Sequence, residues 1–189
     1  HIYAKKILRL RKLDDLDRPP DAALRGTLMH HALAVFIERY PKGPLPRDAL
    51  SVLEAIGRET FAPQFHNPGV KYFWWPRFLA VAGWFITNEE NRHQHLQQSY
   101  AEVEGRITIE GPAGPVVFTA RADRLDRDDD GGVRVIDYKT GAAPSASQVA
   151  AGRRTQLLIE ALIAAEGGFE GLSPAVFGGD PGDVSGDVL

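Results

Sequence analysis

Val133-Arg134-Val135-Ile136-Asp137-Tyr138-Lys139 is the stretch whose reading decides the fold. It reads as a strand that ends in a carboxylate and an ammonium two residues apart. A strand alternates faces with a period of two, so Asp137 and Lys139 point the same way. About one hairpin upstream, Arg121-Ala122-Asp123-Arg124-Leu125-Asp126 places a second carboxylate, Asp123, in β-like sequence. Two carboxylates can hold a hard divalent cation such as Mg²⁺. A lysine beside them can steer a water or offset charge on a phosphate. Together they are the minimum equipment for metal-dependent phosphodiester hydrolysis.

Outward from this stretch, residues 102–110, 116–125 and 133–138 read as three strands joined by Gly/Pro/Asp turns. Residues 148–165 read as a helix. The Gly-rich tail from Gly167 reads as a loop or an incomplete element. Before the strands the pattern is helical. Residues 2–12 and 22–40 read as helices, the second stopping before Pro41. Residues 48–60 form an amphipathic helix, and 61–69 a loop. The run Tyr72-Phe73-Trp74-Trp75 leads into residues 78–86, expected as a buried helix, and residues 88–98 as its polar, surface-exposed extension. Pro76 and Arg77 interrupt this run, and it is too short to cross a membrane.

Composition frames these elements. A chain of 189 residues with 43% hydrophobic and 25% charged residues suits one soluble domain with its own core. The absence of cysteine excludes disulfides, thiolate zinc sites and cysteine-ligated iron–sulfur clusters. The net charge of −3 is not that of a generally basic nucleic-acid binder, so positive charge must be local. Lys5, Lys6, Arg9, Arg11 and Lys12 all precede the first acid, Asp14. On a helix, Lys5, Arg9 and Lys12 share one face, which either contacts phosphates or is solvated. No secretory signal begins the chain. A start at His1 rather than Met is read as that of a fragment of a longer protein.

Taken in order, Gly26-Thr27-Leu28-Met29-His30, Asp123, Asp137-Tyr138-Lys139-Thr140-Gly141 and Gln156 resemble the RecB-type branch of the PD-(D/E)xK nucleases. The opening Tyr3-Ala4-Lys5-Lys6-Ile7-Leu8-Arg9-Leu10 and Arg25-Gly26 resemble the nuclease domain at the C-terminal end of AddB, a subunit of the AddAB helicase–nuclease. The resemblance spans about residues 2–170. It implies an α/β fold with a PD-(D/E)xK, restriction-endonuclease-like core: a mixed central sheet flanked by helices, in one domain over residues 1–189 with a tail at 167–189. It also implies a Mg²⁺- or Mn²⁺-dependent exonuclease acting on single-stranded DNA. An AddA-like helicase–nuclease partner and a cytoplasmic role in double-strand break repair follow from the same likeness.

The resemblance assigns roles by position. His30, Asp123 and Asp137 match the metal ligands, with the carbonyl of Tyr138 as a further one. Lys139 matches the catalytic lysine, and Asp123 and Asp137 are catalytic with it. Gln156 matches a glutamine on the helix behind the site. One turn later, where the family often has tyrosine, this chain has Glu160. Gly26, one turn before His30, would let another segment approach closely; adjacent His31 faces elsewhere. Glu102 and Glu104 are either supporting acids or solvent-facing strand residues, and alternation puts both on one face. Arg153 and Arg154 either contact phosphates or are exposed.

Two patterns imitate metal sites. Asp126-x-Asp128-x-Asp130-Gly131 scans like a calcium loop, but strands rather than helices flank it, so an acidic β-turn is expected. His93-x-His95 has residues two apart on a helix, which do not face each other. Both are expected at the surface. The same chain also admits a catalytically silent DNA-binding or scaffold domain, or a stand-alone Cas4-like nuclease. Retention of His30, Asp123, Asp137 and Lys139 argues against the first. The lack of cysteine argues against the second, whose members resemble iron–sulfur proteins.

Overall fold

The computed structural model describes residues 22–139 and 155–174. The expected helix over 2–12 with its basic face, Thr140 and Gly141, residues 148–154 with Arg153 and Arg154, and the tail from 175 lie outside the described residues.

The first described helix, α1 (Ala22–Arg39), buries Met29, Leu33, Phe36 and Ile37. Their spacing of four, three and one puts them on one stripe of a 3.6-residue helix. Pro41 follows at once, as expected for its end. The second helix, α2 (Ala49–Phe61), turns Leu53, Ile56 and Phe61 to the same core. A side chain at Gly57 would collide with the Phe78 ring, so glycine lets α2 and the next helix approach closely.

The aromatic run departs from expectation. Val70–Trp74 forms a π-helical turn that passes directly into α3 (Trp75–Arg92). Pro76 sits in the first turn of α3, where its missing N–H costs nothing. Phe78, Ala82, Phe85 and Ile86 are buried as expected, but Tyr72 and Phe73 are 66% and 75% exposed. The widened turn carries them out to solvent. The extension over 88–98 is not a continuing exposed helix either. It ends at Arg92, buries Glu89 and His93, and gives way to a strand at Leu96.

The strands form a meander in the order β1-β2-β3. A long hairpin joins β1 (Leu96–Gly111) to β2 (Gly114–Asp128), and β3 (Val133–Ile136) pairs with the far end of β2. Every pairing among the described strands is antiparallel. The last described helix, α4 (Thr155–Ala165), covers one face through Leu157, Ile163 and Ala164, which pack with Ala122, Leu125 and Val135. Ile136 and Tyr138 on the other side join the core of α1, α2 and α3. The result is the expected α/β class, a sheet with helices on both faces. Beyond α4, Gly105 bridges Phe169, so the tail begins with a fragment of strand, an incomplete element as anticipated.

One irregularity organises the sheet. Tyr100 pairs with Leu125 and Val103 with Ala122, and all four pack on the α4 side. These positions are three apart on each strand, so alternation slips by one between them. Glu102 lies at the slip with a φ of 53°, a left-handed conformation costly for a non-glycine residue. Asp123 and Arg124, adjacent in sequence, consequently both turn toward the α1 and α3 layer.

Candidate active site

His30 projects from α1 onto β2, where its Nδ1 lies 3.4 Å from Asp123 Oδ2. The same carboxylate oxygen accepts a hydrogen bond from the main-chain N–H of Tyr138 at 2.9 Å. Asp123 is thus fixed from a helix on one side and from the motif backbone on the other. Burial opposes ionisation of Asp123, but the hydrogen bond and charge of His30 and the Tyr138 N–H outweigh it and hold its pKa below the ordinary value. Burial likewise works against a charged His30. The bond to Asp123 and the charges of Asp123, Asp137 and Glu102 prevail and raise its pKa.

Asp137 and Lys139 do stand side by side, with Lys139 Nζ donating to Asp137 Oδ1 at 2.5 Å. Burial raises the pKa of Asp137, Lys139 opposes the rise, and Asp123 adds to it. These are carboxylates held close enough to repel one another, with one lysine to offset them.

Gln156 lies on α4 and donates from Nε2 to Glu160 Oε1 at 3.0 Å. Glu160 has no solvent exposure, and its Oε2 has no hydrogen-bond partner among the described residues. Burial and the charges of Asp137 and Asp123 drive its pKa up to about 7, against the Gln156 bond and Lys139. Gln156, Ile159 and Glu160 line a cavity of about 370 Å³ with Thr119, Ala120 and Arg121 of β2. Gln156 and Glu160 therefore lie against β2, with Glu160, one turn after Gln156, as a buried acid.

Glu102 and Glu104 flank Val103, which packs on the α4 side, and Arg121, the register partner of Glu104, also pairs with Glu102, so the two acids share a face as expected. Glu102 lies opposite Asp123, receives Arg121 Nε at 2.8 Å, and raises the His30 pKa through its charge. Glu104 is exposed on a shallow groove with Arg106. Gly26 is half-buried on α1 one turn before His30, and His31 is exposed.

Sequence reasoning missed a buried cluster centred on Arg124. Its guanidinium has no solvent exposure and makes a two-pronged pair with Glu89 at 2.7 and 2.8 Å. Its Nε donates to Asp126 Oδ1 at 2.6 Å, and Ser99 Oγ donates to the same oxygen at 2.6 Å. Burial opposes Glu89, but His93 and Arg124 hold it down at about 2. His93 is buried rather than exposed: it reaches Glu89 at 3.4 Å and the carbonyl of Gly43 at 2.6 Å. His95 is exposed, as expected. The only legible signal was the Arg124-x-Asp126 spacing, which puts an opposite-charge pair on one strand face. The calcium-like stretch is an acidic turn as expected, closed by Asp128 N–H to Gly132 O at 2.9 Å and Gly132 N–H to Asp130 Oδ1 at 3.0 Å. Its first acid, Asp126, belongs to the Arg124 cluster.

The donors suit a hard divalent cation: two carboxylates that repel each other, an imidazole and a nearby main-chain carbonyl. As they stand, no three His, Asp or Glu side chains among the described residues are close enough to enclose an ion. Asp137 is turned to Lys139 instead. Among the described residues no helix is long and apolar enough to cross a membrane.

Comparison with known proteins places this chain in a family. An uncharacterized protein of Rickettsia conorii is 28% identical over 170 residues, covering 88% of this chain and 20% of its own length. Uncharacterized proteins of Rickettsia bellii and Rickettsia typhi are each 27% identical, over 167 and 170 residues, with the same coverage. The chain spans about a fifth of the length of these curated relatives. The family model of the PD-(D/E)XK nuclease superfamily matches residues 2–181, a span that holds His30, Asp123, the Asp137-Tyr138-Lys139 motif and Gln156. The chain belongs to the PD-(D/E)XK nuclease superfamily.

Proposed function

We propose that this domain is a divalent-cation-dependent deoxyribonuclease that hydrolyses phosphodiester bonds of single-stranded DNA from an end. The observation that carries this reading is the meeting of α1, β2 and the motif after β3. His30 and the Tyr138 N–H converge on Asp123, while Asp137 and Lys139 flank the same point. Membership of a nuclease superfamily supports a nucleic-acid substrate. The choice of single strands and the exonuclease mode rest on the likeness to the AddB nuclease domain. So do an AddA-like motor subunit and a place in double-strand break repair in the cytoplasm.

In this reading His30, Asp123, Asp137 and the Tyr138 carbonyl hold Mg²⁺ or Mn²⁺. When bound, the ion lowers the pKa of water and offsets charge on the phosphate. Lys139 then exchanges Asp137 for the phosphate. Its ammonium stabilises the charge that builds on the phosphoryl oxygens and orients the attacking water. The water oxygen bonds to phosphorus as the bond to the leaving sugar oxygen breaks, so no covalent enzyme intermediate forms. Gln156, on the wall formed by α4, holds the scissile strand or its water in line. The lack of cysteine leaves no thiolates for an iron–sulfur cluster.

The test is release of nucleotides from end-labelled single-stranded DNA by the intact polypeptide. Mg²⁺ or Mn²⁺ should support degradation and EDTA should stop it. DNA binding with no cleavage under any divalent cation would favour the scaffold reading instead.

A further inference from the structure

The Arg124 cluster meets the proposed catalytic motif at one residue, Tyr138. Arg124 is wholly buried and uses all five N–H donors of its rigid fork: Nε to Asp126, Nη1 to Glu89 and the Tyr138 phenol, Nη2 to Glu89 and Ser99. Its partners come from α3, β1, β2 and the segment after β3. A fork saturated in this way cannot turn without leaving a buried polar group unpaired. The Tyr138 phenol oxygen, 3.1 Å from Nη1, is thus held at a defined place in the core. The ring is packed edge-on against Phe85 and His30.

Tyr138 stands between Asp137 and Lys139, and its own N–H holds Asp123. Fixing its ring therefore fixes three things: the Asp123 carboxylate, the carbonyl of Tyr138, and the direction in which Asp137 and Lys139 leave the backbone. Glu89 and Asp126 already supply two carboxylates against the one guanidinium charge. The phenol adds no charge to that balance. Its contribution is a tether between the buried fork and the motif.

We infer that Arg124 and the Tyr138 phenol are positioning residues that set the cation-binding geometry of Asp123 and Asp137 from beneath. This inference rests on the nuclease reading of the site. It gives the buried cluster a role in cation affinity in addition to its role in the fold.

The test compares wild type, Tyr138→Phe and Arg124→Lys in the intact polypeptide. Mn²⁺ affinity is measured by calorimetry, cleavage of single-stranded DNA is measured against Mn²⁺ concentration, and melting is followed without metal. Tyr138→Phe removes one oxygen and keeps the ring. It should bind Mn²⁺ about 10-fold or more weakly, the size seen when partners that orient metal ligands are lost. Its metal-free melting temperature should fall by only a few degrees, the cost of one Arg124 N–H left unpaired, and its DNA affinity without metal should stay close to wild type. Arg124→Lys keeps the charge but loses the fork, and should weaken Mn²⁺ binding at least as much. Wild-type Mn²⁺ affinity in Tyr138→Phe would overturn the inference, as would a loss that merely tracks lost folding. Should wild type bind Mn²⁺ without cleaving DNA, the nuclease reading fails, while the Mn²⁺ affinities of the variants still decide the positioning role.

Discussion

Asp123 and Arg124 are consecutive on one strand, yet both point into the same helical layer. Asp123 lies 3.4 Å from His30 of α1, and Arg124 pairs with Glu89 of α3 at 2.7 Å. Regular alternation would send one of them to the α4 side. The slip at Glu102 removes that conflict. It lets one short segment serve both the proposed catalytic surface and the buried cluster beneath it. The left-handed Glu102, opposite Asp123, is where the backbone strain of this arrangement is stored.

Asp137→Ala separates fold from chemistry. Burial and the charge of Asp123 disfavour ionised Asp137, although Lys139 offsets part of this. Its removal should leave the metal-free domain neutral or slightly stabilised, within about 1 kcal/mol. Nuclease activity should fall by orders of magnitude. Denaturant melts without metal and a DNA degradation assay check both halves.

Glu89→Gln should act on stability first. It leaves Arg124 buried beside a neutral amide, and breaking such a pair typically costs about 3–5 kcal/mol. The wild type should also show the pair in its pH dependence. Glu89 is held at about 2, below its ordinary 4.5, so its contribution is complete above 4.5 and fades as pH falls from there toward 2. His93 is raised above 6.5, so its contribution is complete below 6.5 and is lost as pH rises through the raised value. Stability from this pair should peak between those limits. Melting curves from pH 3 to 9 should flatten in Glu89→Gln.

Glu160 carries the opposite sign. Its pKa of about 7 lies above the ordinary 4.5, so the folded state keeps a proton that the unfolded chain releases. Metal-free stability should therefore fall as pH rises from about 4.5 to 7. A shift of that size corresponds to roughly 3 kcal/mol when fully expressed. Glu160→Gln should remove this dependence and be the more stable protein at pH 8. Equal pH profiles for the two proteins would show that Glu160 ionises freely.

The parts legible in the sequence were those set by local pattern. The apolar stripe of α1, the hairpin turns and the Asp137-x-Lys139 spacing each depend on a few neighbouring residues, and they formed as read. The slip at Glu102 could not be read, because no glycine or proline marks it and the register on either side is continuous. Glu89 and His93 looked like surface residues because their apolar context ends at Ile86. Only the arrival of Arg124, 35 positions from Glu89, gives them a reason to be buried. Tyr72 and Phe73 misled in the other direction: hydrophobic character predicted burial, and the π-helical turn placed them outside. The meeting of His30 with Asp123 was anticipated from motif order, while the burial of the acid at Glu160 was not.

Lys139→Ala tests the central claim most directly, through cleavage of single-stranded DNA at saturating Mg²⁺ with DNA and Mn²⁺ binding measured on the same protein. A well-placed charge-stabilising group typically contributes about 10²–10³ in rate, whereas one phosphate contact adds little to total affinity. The account predicts cleavage reduced by at least that factor and DNA affinity nearly unchanged. Mn²⁺ binding should be equal or tighter, because Asp137 loses the ammonium that holds it at 2.5 Å. Near wild-type cleavage by Lys139→Ala would contradict the catalytic role of the motif.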